Sequence, residues 1–173
     1  CIRDRLKGES LIKDYHKKFG FDVLILRLFS VYGPKLRPDL ALFKFATSIL
    51  ENKPITVYGD GSSQRDYTNI KDVIKGILSA IHLMVENDSV QDTINIGNGN
   101  PIKLNVLIKL IEKELKVTAK INYIESKAAE MQFTGADISK AKSILSYKPD
   151  VNLEEGIYDF IQWFQENRKT YDS

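Results

Sequence analysis

The chain has 173 residues, 43% of them hydrophobic and 28% charged, which suits the core of one soluble domain, or of one domain plus part of another. A formal net charge of +2, with the lysines spread along the chain, argues against a nucleic-acid partner. No apolar run approaches the roughly 20 residues that span a bilayer, no signal-peptide pattern is present, and one cysteine, Cys1, leaves no internal disulfide or cysteine-rich metal site, so a cytoplasmic location is expected.

In chain order, residues 6–19 read as a helix that ends at Gly20 as a C-cap. Residues 23–29 (VLILRLF) form an almost unbroken apolar run, the pattern of a strand covered on both faces in a parallel sheet. Its parallel neighbours are expected upstream, because few candidates follow it, and an unpaired apolar edge favours association. Residues 40–50 suit a second helix and residues 54–57 a short strand. Residues 59–63 (GDGSS) are a loop by composition.

Residues 71–85 place Ile74, Ile77, Leu78, Ile81 and Val85 on one helical face. Residues 93–96 read as a short strand before a turn over residues 97–101. Leu104, Leu107, Ile108, Ile111 and Leu115 mark an amphipathic helix over residues 104–115. Residues 119–124 alternate like a strand. Asp137 is expected to cap a helix over residues 139–145, and Leu153, Ile157, Phe160, Ile161 and Phe164 form the stripe of a last helix. The alternation of helices and strands makes the class α/β. His16 and His82 are isolated and expected on helix surfaces, so no metal site is expected.

No G-x-G-x-x-G occurs, so a dinucleotide pyrophosphate loop is not expected; Gly59-Asp60-Gly61 and Gly97-Asn98-Gly99 read as turns. No G-x-S-x-G elbow is present either. What remains suits an anionic polar ligand. Arg27 lies inside an apolar strand pattern, where a guanidinium needs a partner. Arg65, between a Gly/Ser loop and Asp66, is suited to fork onto a diphosphate, or to form a structural ion pair with that Asp66. Tyr32 and Tyr58 have rings able to stack on a base or sugar.

Four segments in order carry a resemblance: LRLFSVYGP followed by RPD-ALFKF, then KPITVYGDGSSQRDYTNIKD, TINIGNGNPIKL, and ADISKAKSILSYKPDVNLEEGI. Together they resemble the C-terminal half of the extended short-chain dehydrogenase/reductase family of NAD-dependent sugar-nucleotide epimerases and dehydratases. The nearest look is to UDP-glucuronate 4-epimerases. The resemblance implies the end of a parallel Rossmann-type sheet plus a small α/β domain that grips a UDP-sugar. Residues 1–34 would be the remnant of the NAD-binding domain. Residues 35–173 would be mainly the substrate-binding domain, with some segments returning to the sheet.

By resemblance, Ser30 stands near the sugar pyrophosphate, Arg65 is the diphosphate-binding arginine of an R-D-Y/F motif, and Val57 and Tyr58 are part of the wall beside the base. Arg37, in the RPD segment, falls with the substrate-binding residues and Tyr32 with the cofactor. Lys127 and Glu130 stand where the family has an R/Q-P-G-D segment, here without its Pro-Gly turn.

The family's catalytic Tyr-x-x-x-Lys maps onto Cys1 and Arg5, so both members are replaced. A thiol is too short to reach where a phenol oxygen would sit, and Arg keeps the charge of Lys in another shape. The resemblance therefore implies an NAD-dependent epimerase as parent, with this chain alone inactive and not binding NAD. A 4,6-dehydratase or decarboxylase of the same family is the alternative, as is a UDP-sugar-binding module without catalysis. The helix over residues 6–19 keeps Leu6, Leu11, Ile12, Tyr15 and Phe19 on one side, which suits either a homodimer or packing on an absent part of the sheet.

Overall fold

A computed structural model of the chain describes residues 2–125 and 131–171. In chain order the elements are α1 (Ile2–Phe19), β1 (Val23–Leu28), β2 (Ser30–Tyr32), α2 (Ala41–Leu50), β3 (Ile55–Tyr58), β4 (Gln64–Arg65), β5 (Tyr67–Asn69), α3 (Ile70–Glu86), β6 (Gln91–Ile96), β7 (Ile102–Lys103), α4 (Leu104–Leu115), β8 (Ile121–Ile124), α5 (Ser139–Leu145) and α6 (Leu153–Asn167). A 3-10 turn over Arg168–Tyr171 closes the described chain. Every helix and strand expected from the sequence is present. The strands β2, β4, β5 and β7 were not expected; at two or three residues each, they are too short to show a period.

The apolar run 23–28 does run parallel to a neighbour. Val23 lies opposite Gln91 and Leu28 opposite Ile96, so the partner comes from later in the chain. Successive side chains of a strand point to opposite faces, and here the two faces meet different helices. Leu24 and Leu26 pack with Val73 and Ala80 of α3, whereas Arg27 donates through Nε and Nη2 to the two carboxylate oxygens of Glu9 on α1, at 2.8 and 2.6 Å. The β1–β6 ladder is thus sandwiched between α1 and α3. Leu6, Leu11, Ile12, Tyr15 and Phe19 of α1 are all exposed.

Two apolar cores follow. The first gathers α2, α4 and α6 around the parallel β3–β8 pair, with Ile55, Val57, Leu107, Ile108, Ile111, Phe160 and Phe164 buried. Phe43 meets Phe164 edge-on, centroids 5.0 Å apart, and Phe160 stacks on Phe164 at 5.8 Å, geometries that add to simple burial. The second core joins Ile94 and Ile96 of β6 to α3 and α5, with Tyr147 closing its end.

Side chains fix several ends. Asn69 accepts from Lys71 N at 2.9 Å and Asn152 from Glu154 N at 2.8 Å, both as N-caps. Asp137 accepts from Ser139 N at 2.9 Å at the start of α5, where the sequence placed a cap. Asp72, fully buried in the first turn of α3, accepts from Asp150 N and Val151 N at 3.3 and 3.1 Å. It thereby holds the approach to α6 against α3.

Where α6 crosses β2 and β5 the fit is close. A Cβ on Gly156 would lie 2.3 Å from the Tyr32 hydroxyl oxygen and 2.6 Å from Asn69 Nδ2. Alanine in a helix interior usually gains about 1 kcal/mol over glycine. Here Gly156→Ala is expected to lose about 1–3 kcal/mol through overpacking, read as a lowered urea midpoint; a raised midpoint would refute the close fit.

Tyr32 itself is buried, and burial pushes its phenol up to about 12, with the Asn69 amide working against that rise. The folded phenol stays neutral where the unfolded one ionises, so its contribution is whole below pH 10 and is lost as pH climbs towards 12. Stability is expected to fall between those values by at most about 1.4 kcal/mol per pH unit from this group. Urea melts at pH 9, 10 and 11 should show a shallower alkaline loss in Tyr32→Phe; identical slopes would remove Tyr32 from the account.

Candidate functional site

Of the residues singled out by sequence, Arg65 and Ser30 meet at β4 and the residue that follows it. β4 is the middle of three extended segments. On one side Gln64 and Arg65 pair antiparallel with Lys103 and Ile102 of β7. On the other, Gln64 N donates to Gln132 O at 2.8 Å and Thr134 N donates to Gln64 O at 3.0 Å. Arg65 is therefore held on a braced strand. Its side chain is half-buried, and among the described residues its guanidinium makes one hydrogen bond, from Nη1 to Gln64 O at 2.9 Å.

Arg65 and Asp66 do not form the ion pair that their adjacency suggested. Asp66 is fully buried and its carboxylate is occupied by backbone. Oδ1 accepts from Asn98 N at 2.8 Å and from the Thr68 hydroxyl at 3.2 Å. Oδ2 accepts from Gly99 N at 2.9 Å and Ala136 N at 3.0 Å. The Asp66 carbonyl oxygen accepts from Ser30 N at 3.0 Å. Ser30 and Arg65, named separately in the sequence, are thus joined through Asp66.

The turn at residues 97–99 fits around this carboxylate. Gly99 has φ +77°, and a Cβ on Gly97 would lie 2.3 Å from the Ala136 methyl and 3.3 Å from Asp66 Oδ2. The Tyr147 hydroxyl donates to Gly97 O at 3.0 Å, and burial, then the Asp72 and Asp66 charges, push its phenol upward.

The loop over residues 59–63 is pinned to the start of α4. Asn105 N donates to Gly61 O at 3.0 Å, Asn105 Nδ2 to Asp60 O at 2.9 Å, and Leu104 N to Ser63 O at 2.9 Å. Asp60 Oδ1 accepts from the Ser62 hydroxyl and backbone N–H, which holds its carboxyl below the usual range. Gly61 sits at φ +74°, where a side chain would be strained and would strike Asn105.

The other candidates divide. Tyr58 is exposed at the end of β3, beside Gly59, whose N–H donates to Ile124 O at 2.9 Å. Val57 is fully buried in the first core, and Tyr32 is buried with Asn69 against α6. Neither presents a face to a ligand here: the ring of Tyr32 stacks on no open surface, because β2 turns it towards α6. Arg37 lies on the exposed loop before α2, closed by a two-pronged pair with Asp39 at 2.9 and 2.5 Å, whose carboxyl it holds low. Arg27 is likewise closed by Glu9. Arg5 is exposed on α1. Cys1, Lys127 and Glu130 lie outside the described residues, although the segment 131–136 that follows Glu130 runs beside β4.

The sequence reading missed Asp66 as an organising group, along with Asn98, Gly99 and Ala136 as its donors. The glycine pair around Asn98 was the available signal. A shallow cavity of about 430 Å³ lined by Lys13, Val23, Ile25, Asp92, Thr93 and Lys140, among others, holds none of the sequence candidates.

Comparison with known proteins gives the family and the fold. Residues 2–97 match the NAD dependent epimerase/dehydratase family. The chain is 38% identical over 163 residues to a UDP-glucuronate 4-epimerase of Thermodesulfobacterium geofontis, covering 93% of this chain and 49% of that protein. It superposes on the UDP-glucuronic acid 4-epimerase of Bacillus cereus, solved with UDP-glucuronic acid and NAD, with a TM-score of 0.86 and 37% identity, over 93% of this chain and 51% of that one. The UDP-glucose 4-epimerase of Thermotoga maritima, solved with UDP-glucose, gives a TM-score of 0.83 at 27% identity, over 96% of this chain and 52% of that one. The chain thus spans about half the length of the relatives it matches, and its α/β architecture is that of Rossmann-type epimerases.

Proposed function

Because this chain belongs to the NAD dependent epimerase/dehydratase family, we propose that it forms the nucleotide-sugar-binding half of a UDP-glucuronate 4-epimerase-type enzyme, with Arg65 as the group that takes the diphosphate. One observation carries the reading. Of the three arginines that the sequence marked for a ligand, Arg27 and Arg37 are each closed by a carboxylate, while Arg65 is half-buried on a braced strand with a single backbone hydrogen bond among the described residues. A guanidinium placed so retains donors for a forked bond to phosphate oxygens. Partial burial strengthens such a bond relative to one made in open water.

Around Arg65 the remaining candidates take supporting parts. Ser30 lies next to it through Asp66, close enough in the fold to approach the same pyrophosphate. Tyr58 offers an exposed ring at the edge of β3 for the base or sugar. Lys127 and Glu130, which precede residues 131–136 in the chain, stay proposed substrate-binding groups on the resemblance alone. Arg37 and Val57 contribute less than the sequence suggested, one closed by Asp39 and the other inside the core.

The relatives' cofactor does not fit the residues present. The chain has no G-x-G-x-x-G, and Tyr32, the cofactor-side candidate, is buried against Asn69 and α6. No step is therefore routed through NAD in this chain.

With UDP as probe, calorimetry is expected to show saturable binding by the chain. Arg65→Ala should weaken it about tenfold or more, the loss of charge-assisted bonds to phosphate, and Arg37→Ala by less than about twofold. Equal effects of the two changes would overturn the assignment of Arg65. With UDP-glucuronate and added NAD, the chain alone is expected to yield no C4 epimer above background, because Cys1 and Arg5 replace the Tyr and Lys of the resembling family. Measurable turnover would overturn that part of the reading.

A further inference from the structure

We infer that Asp66 is the positioning residue of this site: its buried carboxylate sets Arg65 and the segment 131–136 in place, so that ligand affinity depends on it more than the fold does. The inference rests on the proposed role of Arg65 and adds the group that makes that role possible.

Four donors converge on the carboxylate from three parts of the chain: Asn98 and Gly99 after β6, Ala136 before α5, and Thr68 on β5. The backbone of the same residue accepts from Ser30. Arg65, the last residue of β4, is its neighbour in the chain. The main chain at Asp66 therefore cannot shift without moving Arg65, Ser30 and residues 131–136 relative to one another. None of these contacts is to the first core, whose packing is apolar.

The donor pattern makes the carboxylate hard to replace. Each oxygen accepts from two donors, at least one of them a backbone N–H. An asparagine has one accepting oxygen and one NH2 group. Either orientation of its amide turns the NH2 group towards a backbone N–H. Asp66→Asn thus keeps shape and size while it opens the clamp. Thr68→Val removes a single donor and leaves the three backbone bonds.

The test measures UDP affinity by calorimetry, thermal midpoint, and amide hydrogen exchange in the full chain and in Asp66→Asn, Thr68→Val and Arg65→Gln. In Asp66→Asn, at a temperature where near-ultraviolet dichroism still reports a folded chain, UDP binding should weaken about tenfold or more. Exchange should accelerate at residues 97–99 and 131–136 while α2, α4 and α6 keep their protection. Thr68→Val should weaken binding about two- to fivefold. A purely structural role would lower the midpoint and leave the affinity of the folded fraction unchanged, so a folded Asp66→Asn binding UDP within twofold of the parent overturns the inference. If Asp66→Asn does not fold, Thr68→Val decides by the same comparison. If the unaltered chain binds no UDP, the proposed function fails first. Exchange then judges Asp66 by itself: uniform loss of protection across the chain overturns a positioning role, and loss confined to the two segments upholds it.

Discussion

A carboxylate without solvent needs donors enough to replace its water, and Asp66 has four of them within 3.2 Å. Burying an uncompensated carboxylate is costly, whereas bonds to a charged acceptor each contribute about 1.5–3 kcal/mol. That balance obliges the chain to bring residues 98, 99 and 136 to one point. The consequences spread outwards. The turn after β6 must pass close, which requires glycines at 97 and 99. Residues 132–134 must run beside β4, and β2 must start within reach of the Asp66 carbonyl. Asp72 repeats the device three residues beyond β5, collecting the N–H groups of Asp150 and Val151. The two acids flank β5 and join the second core to the segments that lead towards the first.

Much of this was legible in the chain and some was not. Most helices announced themselves through their apolar stripes, and the run at 23–28 through its lack of polar interruption. In α3, however, Ile74, Leu78, Ile81 and Val85 of the expected stripe are exposed, and the buried face is Asp72, Val73, Gly76 and Ala80. Arg27 was readable as a group in need of a partner. That the partner is Glu9 depends on how α1 lies across the strand, which no local pattern states. Val57 was read as ligand wall although the alternation Ile55-Thr56-Val57-Tyr58 already turns Val57 inward with Ile55 and Tyr58 outward. Adjacency likewise suggested a pair between Arg65 and Asp66. Once the segment is extended, neighbours face opposite ways, and the pair is excluded by geometry. The strands of two or three residues carry no period, and only their pairing across the chain defines them.

α1 makes few ties to the rest of the described chain. Glu9 reaches Arg27, His16 hydrogen-bonds to Phe21 O at 2.6 Å, and five large apolar side chains face outward. This contrasts with α2, α4 and α6, most of whose apolar residues are enclosed, Val106 and Tyr158 excepted. The chain therefore has one end where packing is complete and another where apolar surface is open. The candidate site sits nearer the complete end, beside β7 and α4, which gives Arg65 a firm support independent of α1.

The two cores are built from interleaved stretches. The chain enters the second core at β1, crosses to the first for α2 and β3, returns for α3 and β6, crosses again for α4 and β8, returns for α5, and finishes in the first at α6. Val23 must find Gln91, and Ile55 must find Ile121, each with helices of the other core in between. Loop closure of that kind has to precede the contacts that reward it, which slows folding. Neither core is a contiguous piece of sequence, but the second has all its residues by Tyr147, whereas the first waits for α6. The last helix, whose phenylalanines fill the first core, is made only when almost all the rest already exists. Until α6 arrives, the chain holds every residue of the second core, while the first lacks Ile157, Phe160, Ile161 and Phe164.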